Sequence, residues 1–382
     1  MSRSYMHEYA LHETDYKRFG KPVYATEKDI EKRKIKKIKK INYFSLLLLV
    51  VLFFTVCLPV CKGMYNYLFL YKAKNSKLKY NHESFINKTP SLLANARMLD
   101  RNILAPPELK KTLMAQMELN TQMPRLQKSL ENLSALYPNL QPGIFVYDFQ
   151  TKNYVSIAGD KQMATASIIK VPILVQMFRR IEDGQISLYD EFQMTPYYRT
   201  GGSGHLQFKA DKTRFDMDFL AKMMIRESDN SATNMILSAI GGADEFNSAM
   251  RRWGLKSTYI KNWLPDLYGE NTTTPRDMAT ILYNADNPEF LNLESRSKII
   301  EIMSKVKNRS LLKQGIPDSA QLVHKTGDIG EMLGDTGIVT MPDGRRYIVV
   351  VMVKRRWNDY SARTFVNQAS SVIYNSFAIN SL

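Results

Sequence analysis

Cysteine and histidine are scarce in this sequence of 382 residues. Its two cysteines are Cys57 and Cys61, and its five histidines are scattered along the chain. Because both cysteines lie in one apolar segment, no disulfide can cross-link the rest of the protein. Neither a His-Glu-x-x-His pattern nor paired Cys-x-x-Cys spacing occurs, which argues against a zinc site. The sequence therefore predicts no bound metal and no cofactor.

Acidic residues are fewer than basic ones, and the position of the excess positive charge along the chain matters more than its size. Of the net charge of +16, residues 1–40 carry +6, residues 62–140 carry +7 and residues 141–382 carry only +3. A nucleic-acid-binding domain is expected to carry its excess on a folded face. The charge therefore argues against nucleic acid as a partner.

Charged residues are absent from residues 41–61, INYFSLLLLVVLFFTVCLPVC. This run of 21 predominantly apolar residues is long enough, as a helix, to cross a hydrocarbon core of about 30 Å. The basic segment EKRKIKKIKK at 31–40 places the N-terminus in the cytoplasm. Its length, and the lack of a small-x-small site after the apolar run, argue against a cleaved signal peptide. We therefore predict a single-pass cell-membrane protein with a basic cytoplasmic tail at 1–40.

Beyond the predicted span, the chain divides into a linker and a compact domain. Residues 62–117 are polar, basic and interrupted by prolines, as is typical of a stalk or linker. Residues 118–382 are predicted to form the domain. Its first helix is RLQKSLENLSALYP, with one apolar face formed by Leu126, Leu130, Leu133 and Tyr137.

Strand signals lie at both ends of this domain. GIFVYDFQ and TKNYVSIAG read as two strands joined by a turn, and TGIVTMPDGRRYIVVVMV as a hairpin turning at Asp343-Gly344. A last helix is predicted from Ser361 to Phe377. Helical signals fill the middle, so we predict an α/β (α+β) fold in which the ends form an antiparallel sheet flanked by helices and the middle forms a mostly helical subdomain.

Three short motifs follow one another in this domain. MATASIIKVPILV carries Ser167 and Lys170, RESDNSATNMIL carries Ser228-Asp229-Asn230, and LVHKTGDIG carries Lys325-Thr326-Gly327. A single Ser-x-x-Lys is weak evidence, because the same spacing also begins at Ser76, Ser295, Ser304 and Ser310. Each motif alone could be a helix cap or a strand ending in a turn. The ordered trio is far more specific than any one of its parts.

Ser-x-x-Lys, Ser-Asp-Asn and Lys-Thr-Gly in this order resemble the class A β-lactamases and penicillin-binding serine hydrolases over residues 118–382. The segments SIIKVPIL, SDNSATNMIL and TTTPRDMATIL are similar to family segments as well. The resemblance implies a β-lactamase/transpeptidase-like fold with the active site between its sheet and its helical lobe. It also implies a bacterial protein whose catalytic domain faces the cell wall outside the membrane.

The spacing of Ser167 and Lys170 has a physical reading of its own. Side chains three residues apart on a helix are neighbours, so the lysine can reach the serine hydroxyl. An amine accepts a proton only when neutral, and burial together with the cation of Lys325 would lower the pKa of Lys170. Ser167 would then be a nucleophile activated by an adjacent base.

The resemblance implies roles for the remaining motif residues. Ser228 would relay a proton to the departing nitrogen and Asn230 would hold the substrate amide, while Lys325, Thr326 and Gly327 would form the carboxylate site. The N–H groups of Ser167 and Asp328 would form the oxyanion hole. Residues 201–204, Gly-Gly-Ser-Gly, would line the cleft mouth or else form a flexible surface turn.

The sequence departs from the family where β-lactamases carry the glutamate that activates the deacylating water. In WLPDLY the place of this glutamate falls on Leu264 and that of a neighbouring asparagine on Tyr268. Asp266 or Glu270 could substitute as the deacylation base, or both could be solvated loop carboxylates. Thr336 also stands where many β-lactamases carry an arginine for the substrate carboxylate.

The sequence predicts a serine hydrolase of class A β-lactamase type, acylated at Ser167 by β-lactams or D-Ala-D-Ala-like amides and slow to deacylate. One alternative is a penicillin-binding DD-peptidase, a carboxypeptidase or transpeptidase acting on the stem peptides of peptidoglycan. Another is a non-catalytic cell-wall-binding protein with the same fold. Burial of a lysine charge beside a serine has no use in a binding module, which counts against the last.

Overall fold

A five-stranded antiparallel sheet joins the two ends of the part of the chain that the structure, a computed structural model, describes: residues 114–379. These residues belong to one compact unit spanning 109–382. The sheet contains β1 (Gln141–Asp148) and β2 (Tyr154–Ile157) from its N-terminal side. Four short strands of the described residues lie outside this sheet and form two pairs. One pair is β3 (Met163–Ala164) with β6 (Thr272–Thr273), and the other is β4 (Glu191–Gln193) with β5 (Arg214–Asp216).

The C-terminal side of the domain contributes three longer strands. They are β7 (Gln321–Ile329), β8 (Met332–Thr340) and β9 (Arg346–Lys354), and the sheet order is β2-β1-β9-β8-β7. The strand that carries Lys-Thr-Gly is therefore an edge strand. Gly344 turns the β8–β9 hairpin with φ +86°, as the Asp-Gly pair predicted.

Eight α-helices lie within residues 114–379. They are α1 (Pro124–Ala135), α2 (Lys170–Glu182), α3 (Met217–Arg226), α4 (Asn230–Ala239), α5 (Gly242–Arg252), α6 (Pro275–Ala285), α7 (Leu293–Met303) and α8 (Ser361–Ile379). The predicted first and last helices are thus present, and the middle of the chain is mostly helical as predicted.

Alternation along the strands divides the core into two layers. In β9, Ile348, Val350 and Met352 face the cluster that contains α2, α4 and α6. Tyr347, Val349 and Val351 face the opposite cluster, where α1 and α8 cover the sheet. Strand β9 is buried on both faces, which explains its uninterrupted apolar run.

No helix within residues 114–379 is long and apolar enough to cross a membrane. The predicted tail, membrane span and most of the predicted stalk lie outside the described residues.

Candidate active site

Ser167 lies on a 3₁₀ turn, Ala166–Ile169, that leads directly into α2. Strand β7 runs against this turn at Gly327. A Cβ atom added at position 327 would lie only 2.9 Å from the carbonyl oxygen of Thr165 and 3.1 Å from the backbone nitrogen of Ile168. Only glycine permits this approach, so Gly327 brings the Lys-Thr-Gly strand next to the nucleophile.

Lys170 is fully buried, and its side-chain nitrogen points to the centre of the three motifs. Its Nζ lies 2.9 Å from Ser167 Oγ, 2.8 Å from the Ser228 carbonyl oxygen and 2.8 Å from Asn230 Oδ1. Burial, and then the cation of Lys325, lower the pKa of Lys170 well below its ordinary value. A neutral amine can donate to the two carbonyl oxygens while its lone pair accepts the Ser167 proton.

Ser228 connects the nucleophile with the second lysine. Its hydroxyl donates to Ser167 Oγ over 2.9 Å and accepts from Lys325 Nζ over 3.1 Å. The residue has φ +57°, an uncommon left-handed conformation for a serine. Held in this way, the hydroxyl has a donor on one side and an acceptor on the other, the arrangement that a proton relay requires.

Lys325 is as buried as Lys170 and also donates to the Thr326 carbonyl oxygen over 2.8 Å. Burial lowers its pKa to about 8, against the raising influence of the Asp335 carboxylate. Asp335 is fully buried beside His324, whose Nδ1 lies 2.9 Å from Asp335 Oδ1. The sequence analysis did not single out this pair, because neither residue belongs to a motif.

The loop 200–204 is attached to the helix that follows Ser228. Asn230 donates from Nδ2 to the carbonyl oxygen of Gly201 over 3.0 Å. Its backbone N–H donates to the carbonyl oxygen of Ser203 over 3.1 Å. Asp229 caps α4 through the Ala232 N–H and also accepts the Leu206 N–H over 2.8 Å. The loop is therefore fixed at the cleft.

A pocket of about 210 Å³ opens at the nucleophile. Ser167, Ser203, Ser228, Lys325, Thr326 and Asp328 all contribute to its lining. Glu227 and Lys307 line it too, joined by an ion pair of 2.5 Å. Sequence patterns gave no signal for these two, since the partners of this ion pair come from separate parts of the chain.

Asp328, whose N–H the resemblance assigns to the oxyanion hole, is held by an arginine that the sequence analysis also missed. Arg355 is 6% exposed and donates from Nη2 to the Asp328 carboxylate. The same guanidinium donates to the carbonyl oxygens of Ile329 over 3.1 Å and Gly330 over 3.2 Å. It thus neutralises the Asp328 carboxylate and fixes the β7–β8 turn.

Neither candidate for the deacylation base lines this pocket. Asp266 is 4% exposed, and its two oxygens accept from the backbone of Glu270 over 3.1 Å and of Asn271 over 2.7 Å. Glu270 forms an ion pair with Lys261 and accepts from Asn262 over 2.7 Å, and the hydrogen bond from Lys261 lowers the pKa of Glu270. Both carboxylates are thus engaged within their own loop, although Asp266 is buried and not solvated.

Leu264 occupies the place where the resemblance implies a glutamate. Its backbone is held by Asn234 of α4, which donates to its carbonyl oxygen over 2.8 Å and accepts from its N–H over 3.0 Å. The leucine side chain is 7% exposed and belongs to the apolar core. At this position the chain presents a hydrocarbon and not a base.

The structure combines an antiparallel sheet with a helical lobe and places a buried lysine between two serines at their junction. These features define a protein of the β-lactamase-like serine hydrolase class. A model of the beta-lactamase enzyme family matches residues 125–377, and the chain belongs to this family. No group of three or more metal-ligating side chains occurs within residues 114–379.

Relatives with known structures or curated names agree with this assignment. A structure of PBP-A is 36% identical, covers 69% of this chain and 99% of its own, and superposes with a TM-score of 0.67. A PBP-A variant, in an acyl-enzyme complex with penicillin G, gives a TM-score of 0.66 at the same identity, with 68% of this chain and 99% of its own covered. The beta-lactamase of Bacillus licheniformis is 28% identical over 252 residues, which is 62% of this chain and 80% of that protein.

Proposed function

We propose that this protein is a serine hydrolase that β-lactams or D-Ala-D-Ala-like amides acylate at Ser167. The observation that carries the proposal is the position of Lys170 Nζ, buried and 2.9 Å from Ser167 Oγ, with its pKa lowered. A purely structural lysine gains nothing from such a position, because burial of its charge costs free energy. The penicillin G acyl-enzyme of a PBP-A variant supports the proposal by similarity.

Acylation would proceed as one attack and two proton movements. Neutral Lys170 takes the hydroxyl proton of Ser167 while the serine oxygen bonds to the carbonyl carbon, and the resulting oxyanion accepts from the N–H groups of Ser167 and Asp328. The proton then passes from Lys170 to the departing nitrogen through Ser228, whose hydroxyl gives up its own proton and takes one from Lys170 Nζ, 3.1 Å away. Lys325 and Thr326 hold the substrate carboxylate, which suits the cationic side of the pocket.

Slow deacylation is the second part of the proposal. The two carboxylates in the pocket lining, Glu227 and Asp328, are each held in an ion pair. Asp266 and Glu270 are engaged within their own loop, and Leu264 cannot accept a proton. Among the described residues, no free carboxylate is therefore positioned to activate water at the acyl-enzyme.

A DD-peptidase acting on peptidoglycan stem peptides is the second candidate function. The absence of the usual glutamate at position 264 favours it over fast β-lactam turnover, and so does the likeness to PBP-A. Anchoring by residues 41–61, with the catalytic domain outside a bacterial cell membrane, would place the site where such peptides occur. The location is proposed from the sequence pattern only.

Intact-mass spectrometry of the full-length chain with penicillin G tests this function. We expect one covalent adduct per chain that persists for many minutes after the free drug is removed. Absence of any adduct after prolonged exposure would overturn the acyl-enzyme proposal. Loss of the adduct within seconds would instead show a true β-lactamase, and a D-Ala-releasing reaction with peptide substrates would identify the DD-peptidase.

The pH dependence of penicillin acylation follows from the two lysines. As pH falls, Lys170 becomes protonated and can no longer accept the serine proton, so the rate decreases. As pH rises through about 8, Lys325 loses the charge that attracts the substrate carboxylate, so the rate decreases again. We expect a bell-shaped profile of the second-order acylation rate constant.

Lys325→Arg separates the two limbs, since arginine remains charged throughout this range. In this variant the alkaline limb should move to higher pH, while the acid limb should stay in place. An alkaline limb that remains near pH 8 would assign this titration to another group.

A further inference from the structure

A completely buried carboxylate lies on the far face of the sheet from Lys325. Asp335 of β8 is opposite Thr326 of β7 in the strand register. Side chains alternate along a strand, so Asp335 shares with Leu333 the face that α8 covers, whereas Lys325 shares with Val323 the face that α2 covers. We propose that Asp335 is the counter-charge of Lys325, a positioning residue that holds this lysine in its role as the cation for the substrate carboxylate. The proposal rests on the function given above, which assigns that role to Lys325.

Three N–H groups surround the carboxylate of Asp335. Its Oδ2 accepts from the Leu312 N–H over 3.1 Å and its Oδ1 from the Thr336 N–H over 3.0 Å. The Nδ1 atom of His324 lies 2.9 Å from Oδ1. An ionised carboxylate only accepts hydrogen bonds, so His324 carries a proton on Nδ1 and donates it. The geometry therefore assigns a negative charge to Asp335, and a charge buried this completely requires a positive charge nearby.

Lys325 has the complementary need, because its direct partners are uncharged. Its Nζ donates to the Ser228 hydroxyl and to the Thr326 carbonyl oxygen. Within residues 114–379, the ion pairs around the catalytic pocket join Glu227 to Lys307 and Asp328 to Arg355, and none includes Lys325. Burial lowers the pKa of Lys325, and the Asp335 carboxylate acts in the opposite direction. The two buried charges, one on each face of the same pair of strands, thus compensate each other.

The other charged groups of the described residues around this pair have partners of their own. They come from α2, the turn before α4, the segment 304–315, β7 and α8. The carboxylates that accept from donors of their own are Glu227, Asp229 and Asp328. The cations that donate to acceptors of their own are Lys170, Arg226, Lys307, Lys313 and Arg363. Asp335 is therefore the carboxylate that remains to balance Lys325.

The first test compares penicillin G with its methyl ester, which has the same rings but no free carboxylate. The second-order rate constant for acylation of the full-length chain is measured as a function of pH. In Asp335→Asn the alkaline limb for penicillin G should move to lower pH by about one unit, because Lys325 loses its charge earlier. With a wild-type limb at about 8, the rate at that pH should fall about fivefold. The ester needs no cation, so its rate at the same pH should change by less than about twofold.

Asparagine suits position 335 because it removes the charge and keeps the shape. Its Oδ1 still accepts a backbone N–H, and its Nδ2 can donate to His324 in the other tautomer of the ring. Asp335→Ser removes the same charge with a smaller side chain and replaces Asp335→Asn if that variant does not fold. Circular dichroism checks the fold of both.

Three variants control for effects other than the charge of Lys325. In Lys325→Arg the cation persists at all pH values used, so adding Asp335→Asn should change the rate by less than about twofold. Asp286→Asn removes a carboxylate that is paired with Arg346 away from the pocket, and it should leave the alkaline limb in place. His324→Asn keeps an N–H donor but cannot take up a proton, and it too should leave the limb in place. A limb that moves in His324→Asn would assign the titration to the histidine and overturn the role of Asp335.

A second test reads the charge of Lys325 without any acylation. The full-length chain is labelled with lysine carrying ¹³C at Cε and is titrated by NMR, and the Lys325 resonance is identified by its loss in Lys325→Arg. Its midpoint should lie near pH 8 in the wild type and about one unit lower in Asp335→Asn.

The outcomes distinguish the counter-charge from the function. An unchanged midpoint in folded Asp335→Asn or Asp335→Ser would overturn the proposal even if penicillin acylates Ser167. Equal slowing of penicillin G and its ester would show a merely structural role and overturn it as well. A lowered midpoint in a protein that forms no adduct with either compound would retain the counter-charge and overturn the acyl-enzyme function.

Discussion

Lys170→Met is expected to lower the rate constant for acylation of Ser167 by penicillin by about 10³-fold or more. Removal of a general base that is in contact with a nucleophile typically costs a factor of about 10²–10⁴. Here the loss includes the groups that Lys170 orients, since Ser228 and Asn230 both accept from its Nζ. The measurement is a time course of adduct formation by intact-mass spectrometry at several penicillin concentrations.

The fold should survive this substitution, because methionine has a similar volume and the site is fully buried. Circular dichroism and a thermal melt check this point. Ser167→Ala is the negative control, in which no adduct should form at all. An acylation rate within about tenfold of wild type in folded Lys170→Met would show that another group activates the serine.

Leu264→Glu is expected to shorten the lifetime of the acyl-enzyme by about 10²-fold or more. The family resemblance places the deacylating glutamate at this position, and Asn234 already holds the backbone there through two hydrogen bonds. Little of the side chain is exposed, so burial should raise the pKa of the new carboxyl and strengthen it as a base. The measurement is the rate at which the penicillin adduct disappears after the free drug is removed.

Leu264→Gln is the matched control, because it has the same length as glutamate but accepts no proton. It should leave the adduct lifetime within a few-fold of wild type. Both variants should lower the free energy of unfolding by about 1–3 kcal/mol, since a polar group replaces a buried leucine. Normal acylation with unchanged release in Leu264→Glu would mean that position 264 does not face the acyl ester.

The sequence predicted the nucleophile and its base because these two residues lie close together in the chain. Ser167 and Lys170 are three residues apart, so any helical geometry brings them together, and the structure places them 2.9 Å apart. The apolar runs on either side of Asp343-Gly344 likewise predicted the β8–β9 hairpin. These features depend on interactions between residues close in the chain.

The loop carboxylates illustrate where such reasoning ends. Asp266 and Glu270 stood close to the expected position of a base, but their hydrogen-bond partners decide what they can do. Asp266 accepts two backbone N–H groups of its own loop, and Glu270 pairs with Lys261. No pattern in the letters WLPDLYGEN tells which way these side chains point.

The sequence by itself determined the order of the motifs, the layers of helices and strands, and the pairing of one serine with one lysine, because hydrophobic periodicity and i,i+3 spacing are local. Only the tertiary structure decided that Lys325 meets Ser228, that Arg355 holds Asp328 and that the ring of Trp357 lies on the backbone of Gly330. These contacts join residues distant in the chain, and their energies depend on burial and on the close approach of backbones at Gly327 and Gly330, which no local pattern encodes.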